Sequence, residues 1–128
     1  MNFPNLNPGA KLYTGLLLMC VLLVTGMAWH HGWTNYDQDT KLEYTGIILE
    51  NDIGNPHTYI DLEVIDEEDM VWEVVLAPVT RMRNRGMTDN AMLAAGDTVS
   101  VVGYPHRSIE DEMRAERIII GETTIELR

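Results

Sequence analysis

The stretch His57–Ile65, H-T-Y-I-D-L-E-V-I, constrains the fold most, because it alternates cleanly. Thr58, Ile60, Leu62 and Val64 fall on one face, and Tyr59, Asp61, Glu63 and Ile65 on the other. A period of two belongs to a strand with one face buried and one face wet. The neighbouring sequence extends that reading. Leu42–Glu50 forms a first strand in which Gly46 marks a bulge or bend, and Asn51–Pro56 is a loop of turn formers. Asp66–Asp69 makes an acidic hairpin turn into a third strand, Met70–Leu76.

The period then changes. Pro78–Arg85 reads as a short helix with proline in its first turn and Gly86 as its stop. Thr88–Ala95 supplies a further helical turn with Thr88 as N-cap. Gly96-Asp97 turns the chain into a fourth strand, Thr98–Tyr104, and Pro105–Glu112 is a charged loop. A fifth strand, Met113–Ile120, follows, which Thr123–Leu127 extends after Gly121. Three meandering strands, one short helix and two more strands is the order of a small five-stranded OB-like barrel. Closure removes the exposed edges that five short strands would otherwise leave; a small open sandwich is the alternative. Alternation assigns Val71 and Val75 to the core with Ile60, Leu62, Val64, Val99, Val101, Ile118 and Ile120. Trp72 then falls on the opposite face.

Charge divides the chain sharply. Residues 1–28 hold Lys11 and no Asp or Glu, whereas the rest carries all 20 acidic residues against eight basic ones, a net −12. Such a field repels nucleic acid and anionic lipid, and it favours cationic partners. Leu12–Trp29 is an uncharged run of eighteen residues. It reads either as a short membrane helix or as a secretory signal, with Gly26 and Ala28 at the −3 and −1 positions of a cut. Both readings keep Lys11 cytoplasmic and export the acidic remainder, so the domain is periplasmic or at the outer face of the inner membrane. The expected organisation is a signal or transmembrane anchor over 1–28, a linker over 29–40 and an extracytoplasmic β-barrel over 41–128. The single cysteine, Cys20, lies in the apolar run, so disulfides contribute nothing to the barrel.

Several phrases recur in a set order: His30-His31, Tyr36-Asp37, Thr45-Gly46, Asn55-Pro56-His57, Trp72-Glu73-Val74 and Pro78. Arg83 to Gly86, Gly96-Asp97-Thr98-Val99-Ser100-Val101-Val102-Gly103 and Pro105 complete it. In that order and spacing the chain resembles a family of small exported bacterial proteins of unknown function, from about Trp29 to Ile120. The resemblance implies an extracytoplasmic β domain and no established activity. Asp52-Ile53-Gly54 stands where the family usually has an aromatic, and His106-Arg107-Ser108 where it tends toward Asp-Gly-Ser.

The four histidines are the candidate metal ligands. His57 ends the loop between strands 1 and 2, and His106 begins the loop between strands 4 and 5. In an OB barrel these loops share the ligand-binding rim. Two imidazoles with a carboxylate such as Asp52 or Glu110 would suit a transition metal, copper among them. His30 and His31 sit about ten residues before strand 1, enough to span roughly 30 Å and fold back onto the barrel. A cut after Ala28 would also make Trp29-His30-His31 a new N-terminus. Its amine, two amides and the His31 imidazole form the square of four nitrogens that Cu(II) prefers. With the helix retained, Trp29, His30, His31 and Trp33 become an interfacial belt. Structurally inert histidines are the plain alternative throughout.

Asp66–Asp69 lacks the ligand spacing of a calcium loop and reads as a solvated turn. Arg81, Arg83 and Arg85 read as a solvated helix face pairing with nearby carboxylates. Nothing in the sequence resembles a nucleophile motif or a phosphate loop. The expected function is therefore that of a non-enzymatic accessory binding domain, with a histidine-lined rim for a transition metal. Its rival is a membrane-anchored structural subunit capping a larger membrane protein complex.

Overall fold

The computed structural model describes residues 31–128. A helical turn, α1 (His31–Thr34), belongs to a first unit ending at Thr34, and Asn35–Arg128 is a second compact unit. The second unit runs β1 (Leu42–Asp52), β2 (Tyr59–Val64), β3 (Val71–Val75), α2 (Val79–Asn84), a 3-10 turn (Asn90–Leu93), β4 (Thr98–Pro105), β5 (Glu112–Ile120) and β6 (Thr123–Glu126). Among the described residues no helix is long and apolar enough to cross a membrane, and the run Leu12–Trp29 lies outside them.

Five strands close into a barrel. Antiparallel pairing joins β3 to β2, β2 to β1, β1 to β4 and β4 to β5, and β3 meets β5 in parallel to complete the ring. Strand alternation drives closure, because each strand has one face that must leave water. Ile48, Ile60, Leu62, Val74, Val99, Val101, Met113 and Ile118 point inward and are almost fully buried. Val64 joins them, as the alternation of His57–Ile65 requires. Leu76, Met82, Met87 and Leu93, outside the strands, belong to the same buried core.

Two details differ from expectation. In β3, Trp72 and Val74 pair with Leu62 and Ile60 and share their inward face, while Val71 is 37% exposed. The apolar residues of Met70–Leu76 fill both phases, so they do not fix the register. Glu73 does, because its carboxylate puts the Val71-Glu73-Val75 face outward. Trp72 stacks on Tyr44 with ring centroids 5.6 Å apart, among the partly buried residues packed against the core.

The chain also reverses at Gly121 instead of continuing. Gly121 has φ +60°, and Gly121-Glu122 forms a two-residue turn that brings Thr123–Glu126 back along β5 as a sixth strand. The edge of β5 opposite β4 is thereby shared: β3 takes Glu112–Arg114 and β6 takes Arg117–Ile120. Ile125 and Leu127 fill the seam and are buried. Arg81 on α2 and Arg85 just past its end hold this tail in place. Arg81 donates to the Leu127 carbonyl, Arg85 to the Glu126 and Arg128 carbonyls, and Arg83 to Asn90 Oδ1. Their partners are main-chain oxygens of the tail and the Asn90 amide oxygen, and not the Asp or Glu side chains the sequence suggested.

The 3-10 turn is capped by Asp89, whose side chain accepts from the Ala91 N–H, one residue beyond the expected Thr88. In the acidic turn, Asp66 and Asp69 have φ of 70° and 58°. Asp tolerates that left-handed backbone better than most residues, which accounts for two of the four acids without a cation.

Candidate functional site

Asp61 lies between inward-facing Ile60 and Leu62, so β2 must turn its carboxylate out. Register then sets its neighbours: Asp61 pairs with Glu50 on β1 and Glu73 on β3, and Glu73 pairs with Glu112 on β5. Directly paired residues share a face, so these carboxylates form a row across four adjoining strands. Glu50, Asn51, Asp52, Tyr59, Asp61 and Glu73 line an open groove of about 320 Å³ along that row.

Like charges opposite one another destabilise a sheet. Burial, then the charges of Glu112 and Asp61, raise the Glu73 pKa above the ordinary glutamate value. The folded protein thus holds this proton more tightly than the unfolded chain. The associated stability is complete below the unfolded pKa and is lost as pH rises through the folded one. Glu73→Gln is accordingly expected to stabilise the barrel by roughly 0.5 kcal/mol at pH 7, discounted for solvent screening. The gain should shrink as pH falls and Glu73 takes up its proton; urea unfolding at pH 7 and pH 4 measures both. The row costs stability, so core packing does not explain it.

The adjoining register is different in kind. Asp52 pairs with Tyr59, Tyr59 with Val75, and Val75 with Arg114. Val75 is buried although it lies on the outer face. Nearby, Tyr36 is buried against the loop between β4 and β5. The Asp37 N–H donates to the Pro105 carbonyl at 2.9 Å and the Arg107 N–H to the Asn35 carbonyl at 2.8 Å. The Tyr36 hydroxyl donates to Glu112 Oε1 at 2.6 Å, and burial together with this carboxylate pushes the phenol's pKa well up. The Arg114 guanidinium carbon is 5.9 Å from the centre of the Tyr36 ring. Tyr36 thus braces one end of the acidic row. The segment Gly32–Thr40 has no period, and its one sequence signal was the aromatic–acid pair Tyr36-Asp37.

The histidines have separate partners. His57 Nδ1 lies 3.2 Å from the Leu76 carbonyl, so Nδ1 carries the proton and Nε2 keeps its lone pair. Its ring meets Tyr59 edge-on at 6.3 Å. Burial first, then the positive charge of Arg114, lowers the His57 pKa, against a raising contribution from the Leu76 carbonyl. His106 is held the other way. Its Nδ1 accepts from the N–H groups of Ser108 at 3.1 Å and Ile109 at 3.0 Å, and its ring packs edge-on to Tyr36 at 5.1 Å. A neutral ring accepting at Nδ1 carries its proton on Nε2 and offers no open lone pair. Of the rim pair, His57 alone presents a free nitrogen in this arrangement, with cationic Arg114 for a neighbour. Among the described residues no group of three His, Cys, Asp or Glu side chains is placed to hold a metal ion, so Asp52 and Glu110 complete no such set. His30 and the side chain of His31 lie outside the described residues.

In comparison with known families, residues 18–113 match a model described as a family of unknown function, DUF6152. No curated protein matches the chain.

Proposed function

Because the chain belongs to the DUF6152 family, whose description assigns no activity, we propose its role from its own geometry. It is a non-enzymatic accessory domain held outside the cytoplasm, and its OB-like barrel binds an amine-bearing ligand in the groove across β1, β2 and β3. The supporting observation is the row Glu50-Asp61-Glu73 across β1, β2 and β3, with Asp61 and Glu73 on the outer face of strands 2 and 3. That is the face on which OB barrels take their ligands. Oligonucleotides are repelled there, whereas ammonium groups find several acceptors in register. The aromatic face of Tyr59 adds a cation–π surface at the same groove.

Calorimetry with tetralysine and the full-length chain in uncharged detergent tests this. Asp61→Asn with Glu73→Gln should weaken binding about tenfold, the loss of two partly screened ion pairs. Asp66→Asn with Asp69→Asn, which removes the same charge from the hairpin turn, should leave the affinity nearly unchanged. Equal losses in the two variants would reduce the groove to part of a diffuse acidic field and sink the reading.

Copper remains a proposal for the N-terminus. If the chain is cut after Ala28, the mature protein should bind one Cu(II) with the visible absorption of four-nitrogen square-planar coordination. Binding should weaken as pH falls, because protons compete for the amine, amides and imidazole. His31→Ala should abolish it and His30→Ala should retain most of it. Intact mass establishes the cut; a cut chain whose copper binding survives His31→Ala would rule the chelate out.

A further inference from the structure

The acidic row is bordered by apolar side chains that the sheet leaves uncovered. Among the described residues the exposed large apolar side chains are Leu49, Ile65, Val71 and Ile109, and the first three share one face. Register places them. The bulge between Ile48 and Glu50 leaves Leu49 beside Glu50, opposite Asp61. Val71 pairs with Glu63 one step along from the pair Asp61–Glu73, so it lies on the same outer face. Ile65 follows Glu63 on that face, and its N–H donates to the Thr45 carbonyl of β1. Half-buried Ile47 pairs with Glu63 from the other side. A single exposed aliphatic residue is ordinary, but three beside a carboxylate row form a mixed surface with the character of an interface.

We propose that the outer face of β1, β2 and β3 docks a basic amphipathic helix of a partner protein. Its lysines or arginines lie over Glu50, Asp61 and Glu73, and its apolar stripe covers Leu49, Val71 and Ile65. Strand spacing selects the helix. Neighbouring strands lie about 4.8 Å apart, so carboxylates along one row recur at that interval. Side chains at i and i+3 or i+4 of a helix recur about 5–6 Å apart, whereas outward residues of an extended chain are about 6–7 Å apart. A helix laid across the strands therefore keeps step with the row. Val71 stands one outward residue from Glu73, roughly 6–7 Å, which is within the width of a single helix of about 10 Å. A second copy of the chain would bring an equally acidic face against the row, and the row repels an anionic lipid surface. This inference rests on the groove being the binding face.

Two peptides of one composition and charge, with tetralysine beside them, are titrated into the full-length chain in uncharged detergent. The striped peptide has leucines at i, i+4, i+7 and i+11 with a lysine after each, which sets a basic stripe next to an apolar one on a helix. Its isomer carries the same residues with leucine and lysine in strict alternation, which is amphipathic only as a strand. Detergent competes for the peptides alike with every protein variant. The striped peptide should bind the native protein about tenfold more tightly than the isomer. Leu49→Thr with Val71→Thr keeps strand propensity and removes the apolar border. It should bring the two peptides within about twofold of each other while tetralysine binds as before. Should that variant fail to fold, Ile65→Thr is expected to shrink the preference, and the native ranking decides by itself. Tetralysine binding with no preference for the striped peptide overturns the helix and leaves the cation groove standing. Tighter binding of the isomer overturns it in favour of an extended partner. Dimerisation of the native chain in sedimentation, lost in Leu49→Thr with Val71→Thr, assigns the border to a second copy and overturns it too. Failure of all three ligands to bind overturns both the helix and the groove.

Discussion

Replacing Gly103 by alanine is expected to cost about 3 kcal/mol or more, well above an ordinary surface substitution. Gly103 lies in β4 where the pairing with β5 shifts register. A Cβ there would collide with the Arg114 carbonyl oxygen and lie 2.8 Å from both the Arg114 carbonyl carbon and the Ala115 Cα. These are backbone atoms of a strand held on one side by β4 and on the other by β3, so no side-chain rotation relieves the overlap. Urea unfolding measures the loss. Gly96→Ala is the control: its φ of +92° is strained for alanine, but nothing lies within 4 Å of the added carbon, so about 1 kcal/mol is expected. A Gly103→Ala protein no less stable than Gly96→Ala would mean that β4 and β5 do not approach as closely as described.

Removing Ile125–Arg128 is expected to unfold the barrel. The deletion takes away two buried side chains, Ile125 and Leu127, each worth about 2–5 kcal/mol by analogy with core truncations. It also strips the strand partners of Arg117 and Ile118 on β5, and the main-chain oxygens that Arg81 and Arg85 hold. Against a total stability of about 5–15 kcal/mol, that loss leaves little or none. Far-UV circular dichroism and limited proteolysis of the shortened chain give the answer. A cooperative transition within about 2 kcal/mol of the intact protein would show β6 to be an appendage.

Much of the barrel was legible because alternation carries physical content. His57–Ile65 fixes one face of β2, and the Pro78 and Gly86 signals bracket the single α-helix between β3 and β4. The misreadings have specific causes. Met70–Leu76 is apolar in both phases, and weighing valines over Glu73 reversed β3. Gly121 looked like an interruption in a strand, although glycine with positive φ is what a two-residue hairpin turn uses. The acidic row was invisible for another reason: Glu50, Asp61, Glu73 and Glu112 are spread over 63 residues of sequence and meet only through strand register. Asp61 and Glu73 could be placed on strands, but their alignment depends on where each hairpin turns. Tyr36 was hidden because a buried aromatic in an irregular strap has no period to betray it. The histidines drew attention by residue type alone, and their hydrogen bonds depend on Leu76, Ser108 and Ile109, partners that no motif predicts.

The most direct measurement is a map of where a cation binds. Amide chemical shifts of the uniformly labelled full-length chain are followed while tetralysine is added at physiological ionic strength. The groove reading expects saturable shifts confined to Glu50–Asp52, Tyr59–Asp61 and Glu73, with little change at Asp66–Asp69 despite its four acids. Shifts that are largest at the hairpin turn, or that spread evenly over the acidic surface without saturating, would contradict a built binding face on β1, β2 and β3.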